Sequence, residues 1–400
     1  MRSRGDPIEH STSERSLRAW RGASSPAVEQ ARRQASDGVH RPDVADLRRE
    51  RAALDGLLRR PDVRYLVPMY EPEEPAAEVP LGTLNYLLDD VGVRPAQVLI
   101  LDQGSARGPR ERASSTGVAV LDTWGAARRV PAAFLDRFGL PALGRGKGLN
   151  LFLGILALAE EPDPPTWVVL ADADLRDLAT YDFARYLAWP LARPTAPAMS
   201  VATHVGRNNE VVSAVRFALE AIEHSPSVAP ATRERLSWLW PALCRQVHML
   251  AGERIVSFDA LLQTPLSTGY GVETCLTVAT LERASHGGIA QVLNPADRHD
   301  IPNGRGLGEL IHNEQRMMNS IARLLLFLVL HERPLAQWDP QTVRQANHTL
   351  ARMLPGMPLL PSRPGPMDFT PVPEERFLPA VAWLEPGERA ELAALLRRSA

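Results

Sequence analysis

The sequence predicts an α/β fold, a mostly parallel sheet flanked by helices, with a helical extension at its C-terminal end. Three observations predict it. Short, continuously apolar runs recur between turn signals, as suits strands buried on both faces of a parallel sheet. Helical segments alternate with those runs, the pattern of a doubly wound sheet. Three of the runs stop at an acid: Val98–Leu101 at Asp102, Val118–Leu121 at Asp122 and Trp167–Ala171 at Asp172. In open α/β sheets ligands bind at those carboxyl ends.

Taken in order, residues 1–41 mix Arg, Ser, Gly and acids without periodicity and read as a disordered tail. Pro42 and Asp43 can start a helix in which Val44, Leu47, Leu54 and Leu58 share one face. The first strand is Val63–Val67, ended by Pro68, and a helix within 80–91 leads to the second at Val98. Residues 209–224, 231–250, 271–285 and 307–331 read as helices, the last with a Leu-rich face suited to the core or to a homodimer seam. The main domain is expected over 42–335 and a helical, Pro-rich extension over 336–400. Within the extension PGMPLLPSRPGPMDFTPVPEE is a linker or wrapping segment, followed by a short helix from Glu388 to Arg398.

A chain of 400 residues can bury one large core plus an accessory region. With 44% hydrophobic and 23% charged residues it has the composition of a soluble globular protein. A net charge of −2 gives no global attraction to nucleic acid. Cys244 and Cys275 are too few for a disulfide framework and lack metal-site spacing, which suggests a reducing, cytoplasmic location. No run reaches the roughly 18 apolar residues of a membrane span, and MRSRGDPIEH has no apolar signal core.

The chemistry concentrates in GRGKGLNLFLGILALAEEPDPPTWVVLADADL, residues 144–175. Lys147 is the only lysine among 45 basic residues and stands between Gly146 and Gly148 at the start of an apolar helix. An ammonium is a compact charge suited to a phosphate oxygen or a narrow site, and a helix N-terminus favours anions; a stray surface lysine is the plainer reading. Asp172 and Asp174 follow the strand on either side of Ala173, and two carboxylates so placed can hold a hard divalent cation. Such a triplet also caps turns and helices.

The order of these pieces resembles a GT-A (Rossmann-like) glycosyltransferase: LVPMYEPEE, LDQGSARG, GKG, then the DxD strand. SVATHVGRNNE, HMLAGERIVSFDALLQTPLSTGYGVET and IAQVLNPADRHD narrow it to a resemblance to the glucosyl-3-phosphoglycerate synthases and their retaining relatives, over roughly 63–335. TGYGVET is the most specific of these motifs and DxD the least. The resemblance implies a nucleotide-sugar donor, a small acidic acceptor and Mg²⁺ or Mn²⁺. It implies that Asp102, Gly104 and Ser105 hold the uridine, with Pro68 along the base, and that Lys147 lies by the nucleotide and Asp172 toward the ribose. Asp174 and His299 would hold the metal. Leu250, Tyr270 and Glu273 would contact the donor sugar, and Gly206, Arg207 and Asn209 belong to the acceptor loop.

Each residue also has a reading of its own. LDQGS is a strand-to-turn transition whose glycine allows close backbone approach, or a plain turn. Tyr270, between Gly269 and Gly271, is an aromatic presented on a turn or an ordinary helix start, and Glu273 in the first helical turn suits the dipole with no sugar needed. His299 is a metal-competent imidazole or a solvated one. Arg207 has the fork for a carboxylate or phosphate, or is a surface charge. The acceptor half departs most from the family: Gly206-Arg207-Asn208-Asn209-Glu210 has Asn where Gly-Arg-x-Thr-Glu is usual, and Asp300-Ile301 replaces Arg-Asn after the histidine. Near Pro68, Glu71-Pro72-Glu73 replaces an Asn-Glu pair.

Metal-dependent hexosyl transfer with retention is therefore the expected activity. Nucleotidyl transfer would call for a Gly-rich phosphate loop after the first strand, and residues 68–78 contain no glycine. The alternative from another class is a catalytically silent nucleotide-binding or assembly protein, with the Pro-rich tail and Leu-rich helix serving partners.

Overall fold

A computed structural model describes residues 39–40, 42, 44–69, 81–105, 107–173, 175, 182–193, 196–204, 215, 228–246, 252–283, 288–294, 307–352 and 375–397. Of the disordered tail expected over 1–41, residues 1–38 and 41 lie outside them, while Val39–His40 pair with another strand of the main sheet, which corrects the expectation at that point; most of the helix expected over 209–224 and the Pro-rich run over 353–374 also lie outside.

Eight strands form the main sheet: β1 (Val39–His40), β2 (Val63–Met69), β3 (Val98–Asp102), β4 (Ala119–Asp122), β5 (Trp167–Leu170), β6 (Met199–His204), β7 (Arg254–Ser257) and β9 (Ile289–Asn294). Their order is β1-β9-β6-β7-β5-β2-β3-β4. The sheet is parallel except at β7, which runs antiparallel to both β5 and β6. The expectation of an α/β, mostly parallel sheet flanked by helices is what the chain adopts. A two-stranded sheet pairs β10 (Phe377–Leu378) antiparallel to β8 (Leu266–Ser267).

Both faces are covered, because successive strand residues point to opposite sides. Leu99 and Leu101 of β3 join one core with Leu66 of β2 and the helix α1, Lys147–Ala159. Val98 and Ile100 join the other, beside Leu54 and Leu58 of the helix Val44–Leu58 and residues of Phe183–Ala188. Helix α1 is apolar nearly all round, so it must be buried, and ten of its residues are.

Pro68 does not end the first strand. β2 continues to Met69, with Pro68 opposite Leu101 of β3, while pairing with β5 stops at Leu66. A proline lacks the N–H a ladder needs; here it falls beyond the last β5 pair. The helix expected within 80–91 is a single turn, Gly82–Asn85, continued as a π turn over Tyr86–Val91. The helix expected over 231–250 is α2, Pro230–Cys244, and that over 271–285 is α3, Val272–Glu282. The Leu-rich helix α4 (Leu307–Leu330) sends Ile321, Leu324, Leu325, Leu328 and Val329 into the core, so this face packs inward. The extension supplies α5 (Pro340–Arg352), β10 and α6 (Pro386–Arg397), and Phe377, Leu378, Val381, Leu392 and Leu396 enter the same core as α1. No helix among the described residues is long and apolar enough to cross a membrane.

Candidate active site

Four segments meet where β3 and β5 end. At the end of β3, Asp102 is buried and its Oδ1 accepts from the Ser105 backbone N–H (2.9 Å), closing a turn. Gly104 has φ +85, and a Cβ there would also lie 3.0 Å from Trp124 and 3.2 Å from Arg145, so the turn needs glycine on both counts. Asp102 Oδ2 has no hydrogen-bond partner among the described residues, and the nearest guanidinium, of Arg110, is 4.0 Å away. Gln103 Nε2 donates to Gly146 O (2.7 Å), tying this turn to the segment before Lys147. Asp122 spends its carboxylate capping the helix Thr123–Ala127, by accepting from Gly125 N.

The GKG segment starts α1 against a second backbone. Gly148 N donates to Gly269 O and Leu149 N to Thr268 O, each at 3.0 Å. A Cβ on Gly146 or Gly148 would strike the carbonyls of Thr268 or Ser267. These two N–H groups at the helix start are thus taken by carbonyls, which corrects the expectation that they favour an anion. Local backbone approach, rather than phosphate cradling, is what both glycines provide here.

Lys147 then reaches two carboxylates. Its Nζ lies 2.6 Å from Asp172 Oδ1 and 2.7 Å from Glu273 Oε1. The lysine is 17% exposed, Asp172 26% and Glu273 8%, so the cluster opens to solvent on the aspartate side. Burial opposes the charge of Lys147, but the two carboxylates outweigh it and hold the ammonium's pKa well above its usual value. Counted together the three groups carry one net negative charge. Such a cluster accepts hydrogen bonds from hydroxyls and attracts cations more readily than it receives a diphosphate.

The surrounding groups fix this geometry. Thr83 Oγ1 donates to Asp172 O (2.6 Å). Arg254, fully buried on β7, donates to Glu273 O (3.2 Å) and Thr277 Oγ1 (2.9 Å), binding the first turn of α3 to the sheet. Burial lowers its pKa to about 10 against the attraction of nearby acids. Tyr270, half exposed at 52%, is the one exposed large hydrophobic side chain among the described residues, and it stands on the turn just before α3.

The structure therefore brings Lys147, Asp172 and Glu273 into contact, with Tyr270 on the adjoining turn. Asp102, Gly104 and Ser105 form their own turn, and Pro68 lies on β2 beside Leu101. Asp174, Gly206, Arg207, Asn209, Leu250 and His299 lie outside the described residues. No cluster of metal-competent side chains occurs among the described residues, and Asp172 Oδ1 is engaged by Lys147. Gly252 was missing from the sequence reading: a Cβ there would collide with Asp172 Oδ2 and lie 2.8 Å from Lys147 Nζ. A glycine just before a buried strand marks close backbone approach, which is the signal that could have found it.

The chain resembles glucosyl-3-phosphoglycerate synthase. It is 27% identical over 220 residues to the synthases of Mycobacterium tuberculosis (strain H37Rv) and Mycobacterium bovis, and the match covers 55% of this chain and 61% of the relatives' length. No family model matches the chain. A crystal structure of the M. tuberculosis synthase in complex with Mn²⁺ and uridine-diphosphate-glucose is 23% identical, covering 73% of this chain and 86% of that one with a TM-score of 0.49. A second, in complex with Mn²⁺, uridine-diphosphate-glucose and glycerol 3-phosphate, is 24% identical over 72% of this chain and 85% of that one, with a TM-score of 0.47.

Proposed function

We propose that the chain is a metal-dependent glycosyltransferase that moves glucose from a nucleoside-diphosphate donor to a small acidic acceptor, 3-phosphoglycerate first among them, with retention at the anomeric carbon. The observation that carries this reading is the Lys147–Asp172–Glu273 cluster, in which GKG, the DxD strand and TGYGVET converge at the carboxyl edge of the sheet. The 27% identity to the curated synthases supports the choice of donor and acceptor.

In this reading the net-negative cluster faces the donor's hydroxyls: Asp172 accepts from the ribose and Glu273 from the sugar. Lys147 bridges the two carboxylates, and with two of its three donors engaged it has one left for the donor. Tyr270 and Leu250 flank the hexose, Pro68 lines the base, and the Asp102–Ser105 turn receives the uridine. Gly206, Arg207 and Asn209 bind the acceptor's acidic groups. Asp174 and His299 would hold Mg²⁺ or Mn²⁺, which supplies Lewis-acid neutralisation of charge on the departing diphosphate. The bond between the anomeric carbon and the diphosphate oxygen breaks, the acceptor hydroxyl oxygen forms the new bond on the same face, and its proton passes to the departing phosphate.

The test is diphosphate release by the purified chain with Mg²⁺ or Mn²⁺, offering UDP-glucose, GDP-glucose and GDP-mannose with and without 3-phosphoglycerate, beside Asp174→Ala. Release stimulated by 3-phosphoglycerate and lost in the variant is the expected result. Hydrolysis without stimulation refutes the acceptor, and no metal-dependent donor binding refutes the enzyme.

A further inference from the structure

The turn that presents Tyr270 and leads into Glu273 is held from behind by a residue of the C-terminal extension. Glu375 is buried, and its Oε2 accepts from Ser267 Oγ (2.8 Å) and Gly269 N (3.0 Å). Its Oε1 accepts from Gly271 N (3.2 Å) and, on the far side, from Ser320 Oγ of α4 (3.4 Å). These partners all donate, so the site is shaped for a carboxylate, an acceptor-only group when ionised. Burial pushes its pKa up while the hydrogen bonds oppose that shift.

The fit is close enough to constrain sequence on both sides. A Cβ on Gly269 would lie 2.6 Å from Glu375 Oε1 and 2.9 Å from Cδ. Next along the chain, Thr268 N donates to Arg376 O (2.8 Å) and Arg376 N to Thr268 Oγ1 (3.1 Å), after which β10 pairs with β8. The extension in turn is anchored by Asn347 of α5, which accepts from Phe377 N (2.6 Å) and donates to Phe377 O (2.9 Å). The same turn meets α1 on its other side through the Gly148 and Leu149 N–H groups. Residues 267–271 are thus gripped between the GKG helix start and a carboxylate more than a hundred residues further along the chain.

We infer that Glu375 is a positioning residue for the donor-sugar turn, setting the backbone of 267–271 and through it the presentation of Tyr270 and Glu273, so that the C-terminal extension is part of the binding site. The assignment of that turn to the donor sugar rests on the proposed transferase function; the grip itself does not. The experiment compares wild type with Glu375→Gln, which keeps size but loses the charge and turns an amide donor toward N–H groups. Two readouts are taken: hydrogen exchange of peptides covering 266–274 against the β3 peptide, and steady-state kinetics. Faster exchange confined to 266–274 with a donor KM raised about tenfold and kcat changed less than about threefold is the expected result. Unchanged exchange at 266–274 overturns the inference, as does faster exchange with an unaltered donor KM. Ser267→Ala, which removes one partner from the turn side, carries the same test with a smaller shift should Glu375→Gln fail to fold. A wild-type chain that turns over no nucleoside-diphosphate sugar fails the transferase reading alone, and the exchange comparison still decides whether Glu375 holds the turn.

Discussion

Replacing Lys147 by methionine keeps the length of the side chain and removes the charge between Asp172 and Glu273. Two carboxylates then face each other with the intervening ammonium gone. Asp172, about a quarter open to solvent, loses a contact near the exposed limit of about 1 kcal/mol. Glu273 at 8% exposure loses one near the buried limit of about 3 kcal/mol. The expected loss is about 4 kcal/mol, and with a urea slope of about 3 kcal/mol/M the midpoint falls by about 1–1.5 M. The pH dependence has a definite sign. In the wild type the raised Lys147 pKa makes its contribution complete below the ordinary value of 10.5, to be lost only as pH rises through the higher folded value, so the difference is flat from this source between pH 5 and 8. Urea unfolding at pH 8 reads the loss, and a midpoint within about 0.3 M of wild type there would refute the reasoning.

Gly148→Ala places a Cβ against the Ser267 carbonyl with Ser267 C at 2.8 Å, and because the neighbour is backbone the helix start must move; a loss of about 3 kcal/mol or more in unfolding free energy is expected, read by urea titration. Gly252→Ala meets side-chain ends, Asp172 Oδ2 and Lys147 Nζ, that can give way; the fold should survive with a smaller midpoint shift while donor KM rises by about tenfold, measured by initial rates. Removing divalent metal with EDTA should abolish donor turnover and leave the unfolding midpoint near that of the untreated protein. Activity surviving chelation would send the diphosphate chemistry to the protein's own cations.

Much of the sheet was legible because β3, β4 and β5 are continuous apolar runs stopped by acids, and β2 is one broken only by Arg64. β6, β7 and β9 were recognised only as motifs of a resemblance, not as strands. Their sequences carry buried polar residues that break the apolar run, Ser200 in β6, Gln291 in β9 and Arg254 at the start of β7. An arginine inside a four-residue strand hides the apolar signal, and its burial is offset by partners on α3 that no local window contains. The antiparallel setting of β7 is likewise a matter of pairing. At the site, GKG, DxD and TGYGVET were visible as residue types at suggestive positions. That Lys147 would meet Asp172 and Glu273, rather than stand at an open helix N-terminus, depended on which carbonyls covered the helix start. Gly252 and Glu375 were not found at all, the second because it lies in a Pro-rich run whose composition reads as linker.

The single lysine of an arginine-rich chain is explained by those same glycines. Gly252 brings its backbone to within a methyl group of Nζ, Gly146 and Gly148 bring the Ser267–Gly269 backbone onto the helix start, and Gly269 admits the Glu375 carboxylate. A planar guanidinium, wider than an ammonium and bound to present its donors in one plane, has no room between Asp172 and Glu273 without displacing one of these segments. The contrast is Arg185, 1% exposed on the other face of the sheet, where Asp55, Asp90 and Asp182 surround a guanidinium that has the space to use its whole fork. Both clusters join one cation to several carboxylates. Arg185 is sealed and ties helices to each other, whereas Lys147 is compressed by glycines at an edge that opens beside an exposed tyrosine. Compression of backbone at that edge leaves Glu273 and Asp172 each with an oxygen not engaged by Lys147, an arrangement suited to a hydroxyl-bearing ligand.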